Sequence, residues 1–180
     1  GNITVNVLDH VTCPLNVTDI YGASNATAYN PTNSSAASPV INVMHVSQAA
    51  GITGNIYGGG NQGAVTANPV VNIGYDATTM SALIPEGYSI AEANRRAYVS
   101  GNVFGGGNEA GVTGGTTINM RSGTVLTGIY GGCNTTGTIT GKTTVSLTGG
   151  TVGAAAVGTE GQEGYVAQQN ATIYGGGLGA

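Results

Sequence analysis

Few side chains in this sequence could do chemistry, and none stands in a reactive pattern. There are two histidines, His10 and His45, two cysteines, Cys13 and Cys133, and eight Asp and Glu residues. Asp9, His10 and Cys13 form the one run with metal-ligand character. Three mixed donors in one short run lack the paired spacings of a zinc or calcium site, so the cluster reads as coincidence. Neither histidine has a nucleophile at the spacing of a nucleophile–base pair. Glycosidases set two carboxylates about one bond. Here the acids are scattered, many of them in or beside loops. The sequence therefore predicts no catalytic residue, no metal and no cofactor.

Two glycine strings resemble nucleotide sites and fail on context. Gly58-Gly59-Gly60-Asn61-Gln62-Gly63 matches the dinucleotide fingerprint as a string. That fingerprint needs a following helix to aim its N-terminus at pyrophosphate, and Ala64 to Val71 reads as strand and turn. Gly137-Thr138-Ile139-Thr140-Gly141-Lys142-Thr143 has one residue too few between its glycines for a P-loop. No glycine run is followed by Asp at the spacing of calcium-binding repeats. Cys13 and Cys133 lie several repeats apart. A disulfide needs Cα atoms within about 7 Å, and stacked strands step by about 4.8 Å each, so two ordinary thiols are expected.

The aromatic residues carry a stronger signal. Tyr21, Tyr57, Phe104, Tyr130 and Tyr174 each follow Ile or Val and precede glycine. The phrase reads Asn55-Ile56-Tyr57-Gly58-Gly59-Gly60-Asn61, then Asn102-Val103-Phe104-Gly105-Gly106-Gly107-Asn108, then Gly128-Ile129-Tyr130-Gly131-Gly132-Cys133-Asn134 and Thr172-Ile173-Tyr174-Gly175-Gly176-Gly177. Asp19-Ile20-Tyr21-Gly22-Ala23-Ser24-Asn25 is a decayed copy. A row of outward-facing rings would suit sugar stacking, so these five are the candidate ligand-contact residues. Inward-facing rings would make a core stack. Core or corner packing is the favoured reading, since Phe104 has no hydroxyl to present.

The elements that position these rings follow from the spacing. Successive aromatics are 36, 47, 26 and 44 residues apart. The shortest interval is the bare unit, and the others add insertions. Between Phe104 and Tyr130 lie Gly111-Val112-Thr113-Gly114, Thr116-Thr117-Ile118-Asn119-Met120 and Gly123-Thr124-Val125. The next unit repeats the order with Gly137 to Gly141, Thr143 to Leu147 and Gly150-Thr151-Val152. Such runs suit a pleated, half-buried surface, alternating polar and apolar residues give one dry face, and glycine permits sharp corners. About three short strands in 26 residues predict one coil of a parallel β-solenoid. A propeller blade takes roughly 40 residues or more.

The expected organisation is one all-β domain over residues 1–180, with about 26-residue coils and insertions near 74–101 and 153–171. Ile56, Val103, Ile129 and Ile173 should stack in one buried column, with the phrase glycines at corners and Gly106 at positive φ. Asn61, Asn108 and Asn134 either form an amide ladder or cap their own turns. In the first insertion Ser89-Ile90-Ala91-Glu92 has capping-box spacing and predicts a short helix near Ile90 to Tyr98. Arg95 and Arg96 on it are half of the chain's basic residues and read as a solvated flank. The second insertion reads as an irregular loop. Both ends break in mid-unit, which predicts a piece of a longer repeat chain or a segment whose ends stack on protein neighbours.

This phrase, followed by Val-Thr-Gly-x-Thr-Thr-Ile and Gly-Thr-Val, resembles the Gly-rich repeats of bacterial cell-surface proteins, adhesin-like β-solenoids. The resemblance covers most of Ile56 to Gly177 and, more loosely, Asp19 to Asn25. Cys133 for Gly, Leu178 for Asn and Ala23-Ser24 for two glycines depart from it. It implies an extracellular, non-enzymatic, structural or adhesive role. Glycan binding on the aromatic column is the alternative, and a β-helix carbohydrate enzyme a weaker one. A net charge of −4 with four Lys and Arg disfavours nucleic acid, which needs clustered basic residues. No apolar run approaches the ~18 residues of a membrane span.

Overall fold

A computed structural model of the chain describes residues 1–8, 15–33, 37–45, 51–75 and 97–179. Within these residues every regular element is a strand. The first sheet sets β1 (Thr4–Leu8), β4 (Val40–His45), β7 (Val70–Ile73), β10 (Thr116–Met120) and β13 (Thr143–Leu147) side by side in that order. The second holds β2 (Asn16–Val17), β5 (Gly51–Ile52), β8 (Tyr98–Val99), β11 (Thr124–Val125) and β14 (Thr151–Val152). The third holds β3 (Ile20–Tyr21), β6 (Ile56–Tyr57), β9 (Asn102–Phe104), β12 (Gly128–Tyr130) and β15 (Thr172–Tyr174). All neighbouring strands are parallel. The chain visits the three sheets in fixed rotation, and each visit adds one strand beside the last. The protein is thus all-β, with three sheets of parallel strands, consistent with a solenoid-like winding.

The run expected at Gly111 to Gly114 and Gly137 to Gly141 forms single bridges and not a full strand. Tyr29, Val65, Val112 and Ile139 pair in single parallel bridges. Together with Ala23, the buried Ala67 and their neighbours they make a small apolar cluster. The main core lies between the sheets. In β10, Thr116, Ile118 and Met120 point inward and Thr117 and Asn119 are half-exposed, as the alternation requires. Ile118 pairs with Val71 and Val145, and Val125 with Val99 and Val152, so like residues sit on like. Each such side chain, once covered, contributes about 1.5–3 kcal/mol.

Ile56, Val103, Ile129 and Ile173 do fall in one register column. The first three are fully buried, but Ile173 is 50% exposed. It lies on the last strand of its sheet, with no further strand to cover it. The phrase glycines also differ from expectation. Gly106 does not have positive φ; that conformation belongs to Gly123 (φ 88°) and Gly150 (φ 90°), at equivalent corners after β10 and β13. The phrase glycines are required by close approach instead. A Cβ on Gly58, Gly105 or Gly131 would lie 2.4, 2.5 or 2.3 Å from the carbonyl oxygen of the matching glycine one strand further on.

The expected helix near Ile90 to Tyr98 is corrected at its end, where Tyr98 is in β8. Residues 90–96, with Arg95 and Arg96, lie outside the described residues, as do Asp9, His10 and Cys13. The second insertion is not irregular throughout. Ala154 and Gln169 exchange two backbone hydrogen bonds of 2.9 and 2.8 Å, and Val157 and Val166 exchange two of 2.9 Å. This antiparallel finger stands in solvent, with Val157 and Val166 exposed.

Candidate functional site

The five aromatics line up on the third sheet because their strands pair in register, Tyr57 against Phe104 and Phe104 against Tyr130. Their rings stack nearly face to face. Centroid separations are 4.8 Å for Tyr21–Tyr57, 5.2 Å for Tyr57–Phe104, 5.0 Å for Phe104–Tyr130 and 5.5 Å for Tyr130–Tyr174. The planes are within 17° of parallel. These spacings track the ~4.8 Å between strands, so the stack is set by the backbone ladder.

Tyr57, Phe104 and Tyr130 form a buried cluster of their own, with Tyr21 partly covered against it. In β6, β9 and β12 the aliphatic residue enters the main core and the aromatic enters this second column, so both faces of the short strand are covered. Ring faces in the middle are taken up by other rings. The end rings differ: Tyr21 is partly covered, and Tyr174 is 52% exposed.

Polar groups anchor the column. Asn55 donates through Nδ2 to the Tyr57 hydroxyl at 3.0 Å, and Asn134 Nδ2 lies 3.5 Å from the same oxygen. The Tyr130 hydroxyl is 3.0 Å from Thr172 Oγ1. Burial pushes the Tyr57 hydroxyl above its ordinary pKa, opposed by the Asn55 hydrogen bond. Tyr21 is raised too, first by burial and then by the Asp19 charge.

Beside the rings runs an amide ladder. Asn61 donates to Asn25, Asn108 to Asn61 and Asn134 to Asn108, each Nδ2 to Oδ1 at 2.8 Å. Of the two expectations for these residues, the ladder is the one formed. A second ladder crosses the first sheet: Asn42 donates to Asn6 at 2.8 Å, Asn72 to Asn42 at 2.9 Å and Asn119 to Asn72 at 2.9 Å. Sequence reasoning missed it, although its signal was present in Val5-Asn6-Val7, Ile41-Asn42-Val43, Val71-Asn72-Ile73 and Ile118-Asn119-Met120. A third set links side chain to backbone. Asp19 accepts from the Asn55 amide at 2.7 Å and Asn55 Oδ1 from the Asn102 amide at 2.8 Å.

Cys133 stands in a glycine position of the phrase and is buried as a free thiol. Its Sγ donates to the Ala110 carbonyl at 3.3 Å, and burial raises its pKa. An uncharged, covered thiol is a poor nucleophile. Among the described residues no group of three or more His, Cys, Asp and Glu comes together. Nor is any helix among them long and apolar enough to cross a membrane, which says nothing of β-barrels. No family model, no curated protein and no solved structure matches this chain.

Proposed function

We propose that the chain is a parallel β-solenoid of about 26-residue coils with loop insertions, acting as a rigid structural or adhesive segment of a bacterial surface or fibre-forming protein. One observation carries this reading. The side chains best suited to contact a ligand, the aromatic row and the two asparagine rows, are engaged with their own counterparts from strand to strand. Rings and amides used in this way hold coils at a fixed spacing and resist extension along the stack. The role is non-catalytic and needs no cofactor. Antibodies raised against the projecting finger test the location. They should label intact producing cells, and labelling that appears only after permeabilisation would contradict an extracellular role.

The open face of Tyr174 supports one second reading, a glycan stacking on the end of the column. A glycan array probed with the chain and with Tyr174→Ala separates the two. Saturable binding lost in the variant favours glycan recognition, and no binding by either favours the structural role.

A further inference from the structure

We propose that the tip of the finger between β14 and β15 is a proteolytic processing site, cut after Glu160 and Glu163 by an endopeptidase that recognises glutamate, and that the cut chain keeps its fold. The inference goes beyond the structural role and rests on the finger alone. Its first support is the build of the tip. Gln162 donates its backbone amide to the Thr159 carbonyl at 3.0 Å, and Tyr165 donates to the Gln162 carbonyl at 3.2 Å. Gly161 and Gly164, third in these two turns, have φ of 85° and 83°, a conformation that asks for glycine there. Glu160 and Glu163 each stand second, so one Glu-Gly turn is presented twice in succession. Both glutamates are exposed, and nothing lies within 4 Å of where a Cβ on Gly161 or Gly164 would begin. A protease draws the segment it cuts into an extended strand and pairs with its main chain. Opening the tip gives up two short-range bonds, and exposed loop tips of this kind are where chains are nicked.

The second support is contrast. The other acids among the described residues, Asp19 and Glu109, are held within the coils. Glu109 donates its amide to the Asn61 carbonyl at 2.7 Å and accepts from Gln62 Nε2 at 2.9 Å. Ala110, which follows it, is buried, and its carbonyl accepts from the Cys133 thiol at 3.3 Å. Asp19 accepts from the Asn55 amide at 2.7 Å, and Ile20 after it is buried. Cutting at either means prising one coil from its neighbour. The third support is that both arms are held on either side of the cut. Val157 and Val166, and below them Ala154 and Gln169, each exchange two backbone bonds. Further on, β15 pairs with β12, Tyr174 stacks on Tyr130 at 5.5 Å, and Leu178 donates to the Cys133 carbonyl at 3.0 Å. Hydrolysis adds a water across the Glu163–Gly164 bond, leaving a carboxylate on Glu163 and an amine on Gly164. The new ends form in solvent, and no core residue is uncovered.

The test is brief digestion of the folded 180-residue chain with a purified glutamate-specific endopeptidase, with the products read by mass spectrometry and gel filtration. Pieces beginning at Gly161 and Gly164 should appear at least about tenfold faster than any piece beginning at Ala110, because only the tip opens without loosening a coil. They should co-elute with the rest of the chain. The double variant Glu160→Gln, Glu163→Gln should yield neither piece, at the wild-type thermal midpoint. Chain recovered from producing cells should carry the same new N-termini. A tip left whole by the enzyme, or a cut before Ala110 that keeps pace with it, overturns the site. So do tip pieces that persist in the double variant. Pieces that part on the column overturn the retained fold, and a tip cut by the purified enzyme but never in cells overturns the processing.

Discussion

Asn108 and Asn61 are 47 residues apart in sequence, yet the amide of one donates to the amide of the other at 2.8 Å. Asn108 also accepts from Asn134 at 2.8 Å, so it is a middle rung. An amide is suited to this place because it both donates and accepts along one line. Asn108→Ala should remove both bonds and leave Asn134 with only its longer contact to the Tyr57 hydroxyl, costing about 1–3 kcal/mol. Denaturant unfolding of the variant measures the loss. An unchanged midpoint would mean that the ladder contributes nothing to stability.

Gly106→Val should be much worse than Thr116→Val. A side chain on Gly106 would begin 2.6 Å from Cys133 Sγ and 3.1 Å from the Cys133 backbone nitrogen. Overpacking of this kind typically costs about 1–3 kcal/mol, and backbone in the path adds to it. Thr116→Val keeps its shape but takes from the Gly131 carbonyl its buried hydrogen bond with Oγ1, about 1–3 kcal/mol, with no backbone displaced. Thermal melts of the two variants should differ clearly, and equal midpoints would refute the close approach of neighbouring strands.

The chain should lose stability in alkali through its tyrosines. Burial raises the Tyr57 and Tyr21 hydroxyls above 10. A folded value above the unfolded one makes a contribution that is complete below pH ~10 and is lost as pH rises through the folded value. Melting midpoints should hold up to about pH 9.5 and fall beyond it. Tyr57→Phe should flatten part of that fall, at a cost near neutrality of about 1 kcal/mol for the Asn55 hydrogen bond it abandons. A variant that falls as steeply as wild type would assign the loss to other groups.

The finger from Ala154 to Gln169 should be dispensable for folding. Its ends meet through the Ala154–Gln169 pair, and its residues are largely exposed. Replacing 154–170 by two glycines should shift the thermal midpoint by no more than a few degrees. A large drop would show that the finger braces the last coil.

Much of the winding was legible because the intervals between phrases are the offsets between paired strands. The 26 residues from Phe104 to Tyr130 reappear as the Phe104–Tyr130 pairing and as the Asn108–Asn134 rung. The second asparagine row was missed because a polar residue between two aliphatic ones reads equally well as a solvent-facing position. Only the neighbouring strand makes Asn72 a rung. The phrase glycines were misjudged for a similar reason. Positive φ is a local preference that a corner advertises, as at Gly123, whereas the crowding at Gly105 comes from Gly131, which local sequence does not reveal. Ile173 and Tyr174 look like core in sequence because they share the phrase of Ile129 and Tyr130. Their exposure depends on what lies beyond the last strand.

The stacking of parallel coils is tested most directly by inter-strand nuclear Overhauser contacts in solution. The predicted pattern joins backbone protons of Ile56 to Val103, Val103 to Ile129 and Ile129 to Ile173, all in parallel register. It also joins the side-chain amides of Asn61, Asn108 and Asn134. Contacts that instead pair strands consecutive in sequence, in antiparallel hairpins, would contradict the account.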